Sequence, residues 1–88
     1  MIRRRVIVHG FVQGVFFRDT LRRRAGQLGV SGWARNNRDG TVEAVFEGEP
    51  AAVERMLELS REGPHGARVD ETDVTDEAPE GLAGFSIS

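Results

Sequence analysis

In the stretch HGFVQGVFFR, residues 9 to 18, two glycines four positions apart punctuate an otherwise largely apolar run that closes on a cation, Arg18. Glycine takes positive φ at no steric cost, and in such a loop successive main-chain N–H groups converge into a small concavity that suits an anion. The helical period that begins near Phe17 sets a helix N-terminus, with its partial positive charge, beside the same loop. Arg18, in the first turn, stands at the end of the helix dipole that favours anions, so a ligand that brings the negative charge is its natural complement. Phosphate has that charge and size, and a planar guanidinium holds it through two N–H groups. An arginine in a first turn also commonly just faces solvent, and in a chain whose twelve cations are all arginine the loop alone does not choose between the two readings.

The elements that position this loop follow from periodicity. RRRVIVHGF, rich in β-branched residues and bounded by charge and glycine, predicts a strand. From Phe17 the period becomes helical, with Phe17, Leu21, Ala25 and Leu28 on one face and Gly29 placed to end the helix. VSGWARN and TVEAVFEG flank NRDG, whose Asp39-Gly40 pair signals a turn between two strands. In the second of these strands Val42, Ala44 and Phe46 alternate with Thr41, Glu43 and Glu47, which predicts one buried face and one wet face. A second helix opens at Pro50, presents Val53, Met56, Leu57 and Ser60 on one side, and stops at Gly63-Pro64. ARVDETDVTDE and GFSIS read as two more strands around a loop holding Pro79 and Gly81. The order is βαββαβ plus a short C-terminal strand, an α+β pattern that predicts the ferredoxin-like split βαβ sandwich, an antiparallel sheet with two helices on one face.

Composition narrows the function classes. Eighty-eight residues predict one domain over 1–88 with one modest core. With no cysteine, disulfides, thiol nucleophiles and thiolate metal sites are excluded. No apolar run is long enough for a membrane helix, and the basic start lacks a cleavage pattern, so no membrane partner and a cytoplasmic location are expected. A net charge of −2 repels polyanions, and the carboxylates of TVEAVFEG stand where an RNA-binding sheet needs aromatic and basic residues, so no nucleic-acid partner is expected. Arg3, Arg4 and Arg5 read as a solvated strand start, and Phe11, Phe16, Phe17 and Trp33 as core. His9 and His65 lie far apart with no third ligand type clustered beside either, so neither a metal nor another cofactor is expected; His9 reads as a structural strand residue.

Taken together, VHGFVQGVFFR and LGVSGWARNNRDGTVEAVFEG resemble the two signatures of the acylphosphatase family, a G-x-V-Q-G-V-x-[FY]-R loop and a G-[FYW]-[AV]-x-N-x-x-[DNR]-G-x-V-E hairpin. Both occur in order, and the similarity runs along essentially the whole chain. The resemblance implies the ferredoxin-like fold and metal-independent hydrolysis of the carboxyl-phosphate bond of acyl phosphates, with inorganic phosphate as product and competitive inhibitor. It further implies that the main-chain amides of Val12, Gln13, Gly14, Val15 and Phe16 cradle the phosphoryl group, that Arg18 binds its oxygens, and that Asn36 orients the attacking water. Those residue types suit the chemistry. Phosphoryl transfer asks for positioning and charge stabilisation, and an amide both donates and accepts but takes no proton at neutral pH, so the proton passes to the substrate itself. A monomer is expected. The competing reading is a non-catalytic regulatory or ligand-binding module on the same fold. The family often carries an Arg or Tyr just beyond the last strand where this chain reads FSIS, which leaves open what partners Arg18.

Overall fold

The computed structural model describes residues 1–88. Its elements are β1 (Ile2–Phe11), α1 (Phe17–Leu28), β2 (Ser31–Asn36), β3 (Val42–Gly48), α2 (Pro50–Glu62), β4 (Arg68–Glu77) and β5 (Phe85–Ile87). The strands form one sheet in the order β4-β1-β3-β2-β5. Four of them are antiparallel, as the alternation predicted, whereas β5 runs parallel to β2, pairing Gly32 with Phe85 and Ala34 with Ile87. The sheet is therefore mixed rather than wholly antiparallel. The segment after β4 crosses from one edge of the sheet to the other before β5 begins, and so delivers β5 in the same direction as its neighbour.

Both helices pack on one face. Leu21 and Ala25 of α1 and Val53, Met56 and Leu57 of α2 join Val6, Val8, Ala34, Val42, Ala44 and Phe46 of the sheet in a single buried cluster. The helical period predicted the α1 and α2 residues and the alternation of β3 predicted Val42, Ala44 and Phe46, while Val6, Val8 and Ala34 are added by the pairing of β1 and β2 with β3.

The other face departs from expectation. β3 is buried on both sides: Glu43 is 8% exposed and Glu47 only 1%. The cover is charge. Arg3, 3% exposed and so no solvated strand start, donates from Nη1 to Glu47 at 2.7 Å and from Nε to Glu77 at 2.7 Å. Arg5 bridges Glu43 and Glu77, and the crossing segment sends the main-chain N–H groups of Glu80, Gly81 and Leu82 to the Glu47 carboxylate at 2.9 to 3.1 Å. Burial raises the Glu47 pKa, but the hydrogen bonds from Glu80, Arg3, Leu82 and Gly81 outweigh it and hold the carboxyl below its ordinary range. The Glu77 carboxyl is lowered to about 2, chiefly by Arg5 and then by Arg3.

A depressed carboxylate pKa contributes stability above the unfolded value and loses it as pH falls through the folded one. The network is thus intact at neutral pH and erodes below pH 4.5 towards 2. Glu47→Gln is expected to cost about 2 kcal/mol at pH 7, because an amide offers one acceptor oxygen to donors that now exceed it and leaves Arg3 with less compensation. The difference should shrink in urea titrations as pH falls below 4.5, because the unfolded chain then binds a proton that the native Glu47 carboxylate, held below its ordinary range, resists.

Candidate active site

The two glycines of the opening stretch do different work. Gly10 lies within β1, where the pairing with β4 slips between His9 and Gly10, and its φ is +132°. A Cβ there would stand 2.1 Å from the Arg68 carbonyl oxygen, so only glycine allows this bulge. Gly14 belongs to the loop proper, with φ of +75° and open space around it; its requirement is conformational. Phe16 follows at φ +59°, the one non-glycine residue with positive φ.

Three anchors hold the loop between these points. Val12 is buried, Val15 packs against the core, and the Gln13 carboxamide nitrogen donates to the main-chain oxygens of Asn37 at 2.8 Å and Thr41 at 2.9 Å. The loop is thereby tied to the β2–β3 turn. One consequence is electrostatic. From Val12 to Asp19 no main-chain N–H donates to any acceptor in the protein; the first that does is Thr20, to Phe16 at 3.0 Å. Unpaired donors in a run at a helix N-terminus make an anion-seeking surface.

The surface opens into a cleft of about 440 Å3 that brings Val12, Gly14, Phe16, Arg18 and Asn36 together. Gln13 and Val15 do not line it with their side chains, which serve as the anchors described above; only their main-chain N–H groups belong to the unpaired run. Arg18 Nη1 donates to the main-chain oxygen of Ser88. Ser88 is itself fixed to β2, its N–H donating to Ala34 at 3.1 Å, so the end of β5 orients the guanidinium and leaves its other N–H groups for a ligand.

Asn36 ends β2 and lines the cleft, and its carboxamide has no partner in the protein. The turn that follows is held by its neighbours. Asn37 Nδ2 donates to Thr41 Oγ1 and Glu43, and Asp39 Oδ1 accepts from the Thr41 hydroxyl at 2.6 Å and N–H at 3.0 Å, contacts that draw the Asp39 pKa down. A polar amide left without an internal partner beside unpaired donors is placed to bind what enters the cleft.

Sequence reasoning missed three lining residues, Phe17, Asp19 and Ile87. Asp19 sits one position from Arg18 and could have been found as the acidic residue of the first turn; in the structure it accepts from Arg22 at 2.7 Å. Ile87 carried no local signal, since only the β5 register brings it here. Other expectations are corrected. Phe17 is core, but Phe11 is 56% and Phe16 81% exposed, and Trp33 lies on the charged face of the sheet between the guanidinium groups of Arg5 and Arg35, 5.3 and 5.0 Å from its ring centre. His9 also gains acidic neighbours that the sequence hid, because the β1–β4 register brings Glu71 and Asp73 beside it, Asp73 Oδ2 at 2.8 Å. No helix is long and apolar enough to cross a membrane.

The family model described as Acylphosphatase matches residues 4–87. Among curated proteins, an acylphosphatase of Rubrobacter xylanophilus is 56% identical over 84 residues, covering 94% of this chain and 76% of that protein. One of Gloeobacter violaceus is 51% identical over 86 residues, covering 98% and 92%. The crystal structure of acylphosphatase from Bacillus subtilis superposes with a TM-score of 0.96 at 36% identity, covering 100% of this chain and 99% of that one.

Proposed function

The chain belongs to the acylphosphatase family, enzymes that hydrolyse acyl phosphates, and from that premise we propose how its own residues perform the reaction. The phosphoryl group sits on the main-chain N–H groups of Val12 to Phe16, with its remaining charge met by the free N–H groups of Arg18. The observation that carries this reading is the unbroken run of unpaired donors from Val12 to Asp19 beside a cleft lined by Val12, Gly14, Phe16 and the cation Arg18. Asn36 accepts a hydrogen bond from a water and aims it at phosphorus opposite the acyl oxygen.

Attack forms the new P–O bond as the bond from phosphorus to the acyl oxygen breaks. The leaving group departs as a carboxylate, a weak base that needs no general acid, and the water proton passes to an oxygen of the substrate. The amides and Arg18 stabilise charge that develops on the transferring group, the role a divalent cation has in many phosphoryl-transfer enzymes, so the reaction proceeds without a metal. Preorganisation is built in: the loop is held by Gln13 and the core, and the guanidinium by Ser88.

By the same reading, residues 1–88 act as a single catalytic domain, a monomer, on a small-molecule substrate in the cytoplasm. Product phosphate binds the same amides and competes with substrate. The test is turnover of benzoyl phosphate in the presence of a chelator, followed by the loss of its ultraviolet absorbance, with inorganic phosphate titrated in. Metal-free hydrolysis with competitive inhibition is expected; a folded protein inert towards benzoyl phosphate, or active only after a divalent cation is restored, rejects this account.

A further inference from the structure

We propose that the Phe16 ring is the platform for the acyl group, so that the enzyme prefers acyl phosphates with aromatic or extended apolar acyl chains over acetyl phosphate; this rests on the phosphoryl group lying on the loop amides as described above. Two local choices at Phe16 are unfavourable at once. Its backbone is left-handed, which a bulky residue adopts only under strain and glycine adopts freely, and its ring is 81% exposed, more than any other large apolar side chain of the protein. The loop conformation explains the φ but calls for a glycine. Packing does not explain the ring, since the core is filled without it.

Position does explain it. Phe16 lines the cleft two residues before Arg18, and the apolar share of the lining is completed by Val12, Phe17 and Ile87. Val12 and Phe17 are almost fully buried and offer little surface, which leaves Phe16 and the half-buried Ile87 as the apolar surface within reach of a ligand. An acyl phosphate has two unlike ends. Once the phosphoryl end occupies the amides and Arg18, the acyl end must lie along the remaining wall of a cleft whose volume, about 440 Å3, exceeds what a phosphoryl group fills. A flat, solvent-facing ring stacks on a planar aromatic acyl group and covers an alkyl chain, and both lose water in doing so. The methyl of an acetyl group is too small to cover it.

The experiment compares kcat/KM for benzoyl phosphate and acetyl phosphate in the wild type, Phe16→Ala and Phe16→Tyr, using the ratio within each protein so that the intrinsic reactivity of the two acyl phosphates cancels between proteins. Phe16→Ala is expected to lower the benzoyl-to-acetyl ratio about 10-fold, mostly through KM for benzoyl phosphate, and Phe16→Tyr to retain the wild-type ratio. The same ratio in wild type and Phe16→Ala, whether the absolute rates fall or not, overturns the platform, because a defect of loop geometry strikes both substrates alike. Turnover of neither acyl phosphate by the wild type overturns the hydrolytic reading and this one with it; turnover of both with an insensitive ratio overturns this one alone.

Discussion

Arg18→Ala is expected to lower kcat/KM for benzoyl phosphate about 10³-fold, with KM raised and kcat reduced together, and to weaken competitive inhibition by inorganic phosphate. The guanidinium meets charge that is present in the bound substrate and grows in the transition state, so its removal affects both. Arg18→Lys should recover only part of the loss, since an ammonium keeps the charge but cannot hold one N–H on Ser88 while presenting a planar pair to phosphate. Because Arg18 also tethers the end of β5, thermal unfolding is measured beside the kinetics. A fall in melting temperature with unchanged phosphate affinity would assign Arg18 to the tether alone.

Asn36→Ala is expected to act on one parameter. Its carboxamide is proposed to touch the water and not the phosphoryl group, so kcat should fall about 100-fold while the inhibition constant for phosphate stays nearly unchanged. Stability should also hold within about 0.5 kcal/mol, since the β2–β3 turn is secured by Asn37, Asp39 and Thr41 and by Gln13 from the loop, none of which depends on Asn36. Asn37→Ala makes the contrast: it removes two hydrogen bonds that hold the turn, to Thr41 and Glu43, and should lower stability first. Parallel losses of rate and phosphate affinity in Asn36→Ala would move Asn36 from the water to the phosphoryl group and reject the assignment.

Much of this was legible in the chain before any fold. Residues three and four apart in Phe17, Leu21, Ala25 and Leu28 report a helix face by themselves, and strict alternation in Val42, Ala44 and Phe46 reports a strand face, because both periods are properties of a few consecutive residues. The site loop was legible for the same reason. Its glycine, its arginine and the start of its helix lie within ten residues, so the chemistry they suggest needs no distant partner to be stated.

What only the tertiary structure decided depends on pairings between distant residues. Alternation separates the two faces of β3 but does not say what covers the second one, and that face is closed by Arg3, Arg5 and Glu77 across the β1–β3 and β1–β4 registers and by amides of a segment more than thirty residues on. Arg3 and Glu47 therefore look like solvated charges in sequence and are buried partners in space, and Trp33 looks like core and is a platform for two arginines. Gly10 reads only as the glycine that ends a strand until β4 is beside it, when the Arg68 carbonyl leaves no room for a side chain. The orientation of Arg18 is the clearest case. Its partner is seventy residues away, brought there by the parallel addition of β5 to β2, and strand register, unlike helical period, is a relation between segments that neither one encodes alone.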